Sequence, residues 1–189
     1  EVVTVAWTGI AAFLLPGGTT VHSRFKLPLL LDRTSTVGIR ANSPAADELR
    51  RASVLFWDEA AMASALALEI VDRGLQDIRG SPLPFGGMTV VLGGDFRQIL
   101  PVIRGASRAQ QVAKCLKRSV LWHAFRILPL QVNMRVTEGQ QVFADWLLAV
   151  GEGRVGQNDR IALAEDMVSR ADLIDEVFGD ALTSDNLSL

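Results

Sequence analysis

The chain has 189 residues, 49% apolar and 21% charged, with a formal charge of −2, a composition that excludes a disordered, collagen-like or strongly basic nucleic-acid tail. One cysteine, Cys115, rules out an internal disulfide framework and fits a reducing compartment, and with only His22 and His123 as further soft ligands no zinc spacing exists. The small net charge conceals a segregation: residues 97 to 135 hold eight basic side chains and no acid, whereas from Glu138 onward there are eleven acids and three arginines. The basic segment is either a solvated face or a track for a phosphate backbone, which such segments attract through counterion release.

Val2 to Trp7 is an apolar run predicted as a strand, and because the chain opens on Glu1 directly before it, the strand is read as entered in midstream. Residues 2 to 22 lack Lys, Arg, Asp and Glu, which has the look of a signal peptide or membrane span. Thr4, Thr8, Gly9 and the Pro16-Gly17-Gly18 turn interrupt that run and no basic leader precedes it, so the prediction is strand, short helix, turn, with no membrane partner. Residues 32 to 47 read as a polar connecting loop with Gly38 and Pro44. Ala52 to Trp57 and Thr89 to Leu92 are short continuous apolar runs that end abruptly in polar residues, the pattern of strands buried on both faces of a parallel sheet. Between them Leu66, Ile70, Val71, Leu75 and Ile78 share one face of a helix over 64 to 78, stopped by Gly80 and Pro82. A further helix is expected within 106 to 125 and a further strand over Phe125 to Leu130. Val142, Phe143, Trp146, Leu147 and Val150 form an apolar stripe, expected to be core, before Gly151 and Gly153, and residues 161 to 181 read as an acidic amphipathic helix pair.

Alternating strands and helices give an α/β fold with a parallel sheet. Ligands of open α/β sheets gather beyond the carboxyl ends of the strands, so Asp58, Glu59, Asp95 and Gln98 are expected on one rim. The motifs themselves are Thr8-Gly9-Ile10-Ala11-Ala12, Pro16-Gly17-Gly18 followed by His22-Ser23-Arg24-Phe25-Lys26, Asp58-Glu59, the run from Gly93 to Pro101 reading Gly-Gly-Asp-Phe-Arg-Gln-Ile-Leu-Pro, Asn133-Met134-Arg135, and Phe143-Ala144-Asp145-Trp146-Leu147-Leu148. In order and spacing, from about residue 1 to residue 153, this set resembles the PIF-type DNA helicases of superfamily one, including those carried by rolling-circle (Helitron) transposons. Trp57 departs from the isoleucine of the family pattern and either crowds the site or fills core. Ala60-Ala61 replaces a bulkier, polar pair.

The resemblance implies a RecA-like motor core that uses ATP and Mg2+. It assigns Asp58 to the magnesium ion, Glu59 to orienting and deprotonating the attacking water, Gln98, with Asp95 beside it, to the terminal phosphate, and Arg135 to the charge developing there. Thr8, Gly9, His22, Ser23 and Phe25 resemble the strand-binding motif, although Phe25 serves equally as core and His22 as a turn hydrogen-bonding group. Gly-Lys occurs nowhere in the chain, so the phosphate loop is missing and the RecA-like sheet is expected to be incomplete. In the family the phosphate-loop strand lies between the strands ending here at Gly93 and Leu130, which would leave two unpaired edges and a chain that folds poorly alone. Residues 1–135 are then a partial motor domain, and 136–189 the start of a second motor domain or connecting helices. The implied function is an ATP-dependent 5′-to-3′ DNA helicase on single-stranded DNA, serving repair, recombination and telomere maintenance as a nuclear or mitochondrial monomer. The alternative is a noncatalytic, truncated or transposon-derived remnant that at most binds single-stranded DNA.

Overall fold

The computed structural model describes residues 1–98, 101–103, 105–137, 139–156, 160–163, 165–169 and 171–183. They divide into two compact units, Glu1–Gln131 and Val132–Leu189. The first unit is built on a parallel sheet of four strands, β1 (Val2–Ala6), β2 (Thr19–Thr20), β3 (Val54–Asp58) and β4 (Thr89–Leu92), in the order β2-β1-β3-β4. Val2 pairs with Val54 and Ala6 with Asp58, while Val54 pairs with Thr89 and Trp57 with Leu92, so β1, β3 and β4 end level with one another. That common end sets the rim on which the motifs lie.

The β-branched run of β1 and the Val-Leu-Phe-Trp of β3 suit a pleated, doubly covered position, and Val5, Leu55 and Trp57 are fully buried. Helix α1 (Gly9–Phe13) is capped by the Thr8 side chain accepting from Ala11 N–H, and α2 (Val21–Phe25) by Thr20 accepting from Ser23 N–H. The crossover from β3 to β4 is α4 (Ala65–Arg79), started by Ser64 accepting from Ala67 N–H and stopped by Gly80 in the left-handed region. Of its predicted face Ile70, Val71, Leu75 and Ile78 are buried and Leu66 half-buried, and full burial of such a side chain stabilises by about 1.5–3 kcal/mol.

One helix escapes the sequence reading. Helix α3 (Pro44–Arg51) begins inside the segment predicted as loop, with Ser43 capping Ala46 N–H, Pro44 in the first turn and Asp47 beside it. The Ser-Pro-x-x-Asp signature is a helix start by its own chemistry. Arg24 of α2 pairs with Glu48 of α3 at 2.6 Å, and this guanidinium holds the Glu48 carboxyl below the usual carboxylate range.

The strand expected over Phe125 to Leu130 does not form. That stretch is irregular, with Ile127, Leu128 and Leu130 exposed. No neighbouring strand reaches it among the described residues, and Pro129 lacks the N–H a ladder needs. Its first residue packs instead: Phe125 meets Phe85 edge-on at 5.9 Å and Trp122 at 6.1 Å. The stretch from 106 to 125 does hold a helix, α5 (Arg108–Ala113), closed by a capping box between Ser107 and Gln110. In the second unit, α6 (Gln141–Gly151) carries the apolar stripe, but Val142, Phe143 and Leu147 are exposed rather than core, and only Ala149 is buried. A short 3-10 turn (Glu165–Met167) and α7 (Leu173–Thr183) follow where an acidic helix pair was expected.

Strand β4 is therefore an edge. Its outer side has no strand partner among the described residues, and Val91 is 43% exposed there. An unpaired apolar edge templates pairing with other chains, and a lysine on such an edge opposes it. Val91→Lys is expected to raise the fraction of the purified chain that elutes as monomer across a concentration series. Identical elution profiles would mean that the edge is harmless.

Candidate nucleotide site at the sheet rim

The turn after β3 and the loop after β4 are stitched together by main-chain bonds. Gly93 N–H donates to Trp57 carbonyl and Ala60 N–H donates to Gly93 carbonyl, both at 2.8 Å. This closeness needs glycine, since a Cβ on Gly93 would lie 3.0 Å from Asp58 Oδ1, and one on Gly94 would lie 3.0 Å from Ala61 N. The same crowding explains Ala60 and Ala61, each 2% exposed beneath the glycines, where a bulkier pair finds no room. Trp57 fills core and does not crowd the site: it is fully buried, and Trp7 stacks on it at 6.4 Å and 12°.

Asp58 and Glu59 sit where β3 runs out. Asp58 Oδ1 accepts the Glu59 N–H at 3.0 Å, and Glu59 adopts φ 50 and ψ 34, a left-handed conformation that a non-glycine residue holds at a cost of about 1–2 kcal/mol. Strain of that kind persists when the surroundings fix it, here the 3-10 turn Ala60–Met62 and the Gly93 contact. Asp95, two residues past Gly93, accepts from the Arg97 N–H at 3.0 Å and from Arg97 Nε at 2.9 Å. The backbone bond foremost, then the guanidinium, holds its carboxyl below the usual range. Gln98 closes this loop by donating its N–H to Asp95 carbonyl at 3.2 Å and is exposed. Ile99, Leu100 and Arg104 lie outside the described residues.

Thr8 and Gly9 follow the neighbouring strand β1, the threonine hydroxyl being engaged as the cap of α1, with Gly9 exposed. Ser23 is exposed on α2. His22 stands edge-on to Trp7 with centroids 4.8 Å apart, and burial lowers its pKa. Phe25 must be corrected: it is fully buried in the core and has no face to offer a base. Since the His22 pKa is lowered on folding, the unfolded chain binds the proton more readily; stability is fully present above the unfolded value near 6.5 and is lost as pH falls through the lower folded value. The urea midpoint is expected to drop between pH 7 and pH 5.5, and His22→Gln to flatten that slope. Equal slopes in both proteins would refute the assignment.

Arg135 belongs to the second unit, where it is exposed and its N–H donates to Asn133 Oδ1 at 3.0 Å. The structure thus brings Asp58, Glu59, Asp95 and Gln98 to adjoining turns of one unit, and Arg135 is described in its own. No cluster of three or more His, Cys, Asp or Glu suited to a metal occurs among the described residues. Magnesium does not require one, because it takes one or two carboxylates and fills its shell with water and substrate phosphates. Asp58, a single carboxylate at a strand end beside a glycine, fits that donor set.

A family profile described as PIF1-like helicase matches residues 1–161. The chain belongs to the PIF1-like helicase family. Among PIF1-like relatives, the ATP-dependent DNA helicase Pif1 of Bdellovibrio bacteriovorus is 34% identical over 169 residues, covering 87% of this chain and 37% of that one. The ATP-dependent DNA helicase Pif1 of Psychrobacter sp. is 34% identical over 142 residues, covering 74% of this chain and 21% of its own length. The chain therefore spans well under half of either. The crystal structure of Pif1 from Candida albicans superposes with TM-score 0.66 at 26% identity over 88% of this chain and 39% of the other. That of Bacteroides Pif1 in complex with ADP-AlF3 and ssDNA gives 0.71 at 23% identity over 99% of this chain and 48% of the other, a likeness of fold. The parallel sheet is the RecA-like α/β arrangement of PIF1-like helicases. Among the described residues no helix is long and apolar enough to cross a membrane.

Two features of the PIF1-like rim were missed in the sequence. Phe96 and Trp122 meet edge-on at 5.5 Å, and the Lys117 ammonium lies 4.2 Å above the Phe96 ring. The Asp-Phe-Arg-Gln spacing placed Asp95 and Gln98 on the rim but carried no signal for what holds the loop, because its partners lie more than twenty positions downstream.

Proposed function

We propose that this chain is the nucleotide- and DNA-engaging portion of an ATP-dependent helicase that moves 5′-to-3′ on single-stranded DNA. The observation that carries the reading is the closure of the Asp58-Glu59 turn onto Gly93, which sets the two acids beside the Asp95–Gln98 loop at one strand end. Related Pif1 structures contain ADP-AlF3 and ssDNA, which supports nucleotide and strand as the ligands. Asp58 would hold magnesium together with nucleotide phosphates, a cation whose charge would offset that of the phosphoryl group being transferred. Glu59 accepts a proton from the attacking water, and Gln98 meets the terminal phosphate. The phosphate cradle is a loop that residues 1–189 do not contain, so hydrolysis belongs to the chain joined to such a loop. The exposed Gly9 and Ser23 and the half-buried His22 contact the sugar-phosphate backbone, and the exposed Lys114, Lys117, Arg118 and Arg126 attract its charge.

The test on the chain itself is fluorescence anisotropy of labelled oligo-dT. Binding should weaken linearly in log salt with a slope of about −0.7 per phosphate contact and should be outcompeted by single strands in preference to duplex. Salt-sensitive binding that still ignores added nucleotide once a phosphate loop is joined to the chain would favour the noncatalytic remnant. Preference for duplex would reject both readings.

A further inference from the structure

We propose that Phe96 is a positioning residue that clamps the Asp95–Gln98 loop onto the basic segment through Trp122 and Lys117. The proposal rests on the role given above to Gln98. Within the loop Arg97 and Gln98 both donate to Asp95, and both are exposed. Its apolar side chain, Phe96, packs against the core cluster and meets Trp122 at 5.5 Å and 88°, with the Lys117 ammonium 4.2 Å from its centroid on the ring face.

The surface receiving Phe96 is itself fixed. Ala65 N–H donates to Lys114 carbonyl at 2.9 Å, and Ser119, buried, donates from Oγ to Glu69 at 2.9 Å, so the segment is pinned to α4 at two points. From Trp122 the ring contacts continue through Phe125 to Phe85, which lies in the turn ahead of β4. One aromatic row thus brackets β4, gripping the turn before it and the loop after it. Lys117 is exposed apart from this contact, so it is open to phosphate oxygens. A polyanion that draws the ammonium off the ring removes half of the clamp and frees the loop bearing Gln98. Occupancy of the basic segment is thereby felt at the rim without any movement of β4.

The experiment is hydrogen exchange at the Arg97 and Gln98 amides of the full chain. Phe96→Ala is expected to speed both by about tenfold while β3 and α4 keep their rates, Phe96→Trp to restore them, and Lys117→Gln to give about a threefold rise. Saturating oligo-dT should speed the same amides in the parent and leave Lys117→Gln unchanged. Unaltered exchange in Phe96→Ala, no rescue by Phe96→Trp, or acceleration spread through β3 and α4 would overturn the clamp. If oligo-dT fails to bind, the strand-binding reading falls, and the ligand-free comparison of the two Phe96 variants still decides the clamp.

Discussion

Glu59→Gln, introduced into the chain joined to a phosphate loop, is expected to lower the kcat of DNA-stimulated ATP hydrolysis by about 10²- to 10⁴-fold. Affinity for nucleotide and for oligo-dT should stay within about twofold, because the substitution keeps the volume and the backbone and removes only the ability to take a proton. The backbone supplies a second readout. Glu59 holds φ 50, and glycine meets that conformation without a Cβ penalty, so Glu59→Gly should leave stability unchanged or raise it by up to about 1 kcal/mol while hydrolysis is lost. A residue kept in a strained conformation at a cost to the fold, whose removal harms only turnover, is the signature of a site and not of a scaffold. Asp58→Asn gives the contrast, since it should weaken nucleotide binding in magnesium and not in EDTA. Turnover in Glu59→Gln within about tenfold of the parent would remove Glu59 from the role of base.

The strands legible in the sequence were those whose reason lies within themselves. Val2 to Ala6, Val54 to Asp58 and Thr89 to Leu92 are short, largely apolar runs, inner residues of the first two being buried while the third stays an exposed edge, and their polar ends named the rim. Helix α4 was equally plain, carrying its stripe between its Ser64 cap and its Gly80 stop. Phe125 to Leu130 has a comparable run yet forms no strand, because a strand needs a neighbour and the run cannot show that one is lacking. Thr19–Thr20 pairs with β1 over two residues, too short for any period to register. At the site, the two acids and the glycines were readable from spacing. The fate of Phe25 was not, since an aromatic residue after a basic one looks the same whether it stacks on a base or fills core. The clamp on Phe96 and the grip of Arg79 on the β4 turn are contacts across long sequence separations, which local pattern does not encode.

Arg79→Ala is expected to destabilise the first unit by about 3 kcal/mol, a drop in melting temperature of about 10 °C for a unit of this size. Arg79 ends α4 and spreads its guanidinium over four carbonyls: Nε donates to Gly86 at 2.8 Å, and Nη1 to Leu49 at 2.7 Å, Ala52 at 2.9 Å and Arg50 at 3.1 Å. Three of these close the carboxyl end of α3, where the last carbonyls lack helical partners and a cation meets the negative end of the dipole. The fourth holds the turn Pro84–Gly87, in which Phe85 and Gly86 both have positive φ and a Cβ on Gly86 would lie 2.6 Å from Leu75 carbonyl. Buried Asp72 grips the same turn by accepting from Phe85 N–H, while its other oxygen accepts from Gln76 Nε2 of α4. Loss of the arginine strands several carbonyls of low exposure at once, and some are recovered by water, which is why the estimate stays near that of two charge-assisted bonds, about 3 kcal/mol. Arg79→Lys should recover less than half, because an ammonium cannot span helix end and turn together. The turn sets where β4 begins, and the end of β4 carries Gly93, so the same variants should also loosen the Asp58-Glu59 turn. Urea unfolding of Arg79→Ala, Arg79→Lys and Asp72→Asn measures this: a loss below about 1 kcal/mol in Arg79→Ala would show that the helix end and the turn hold without their common donor.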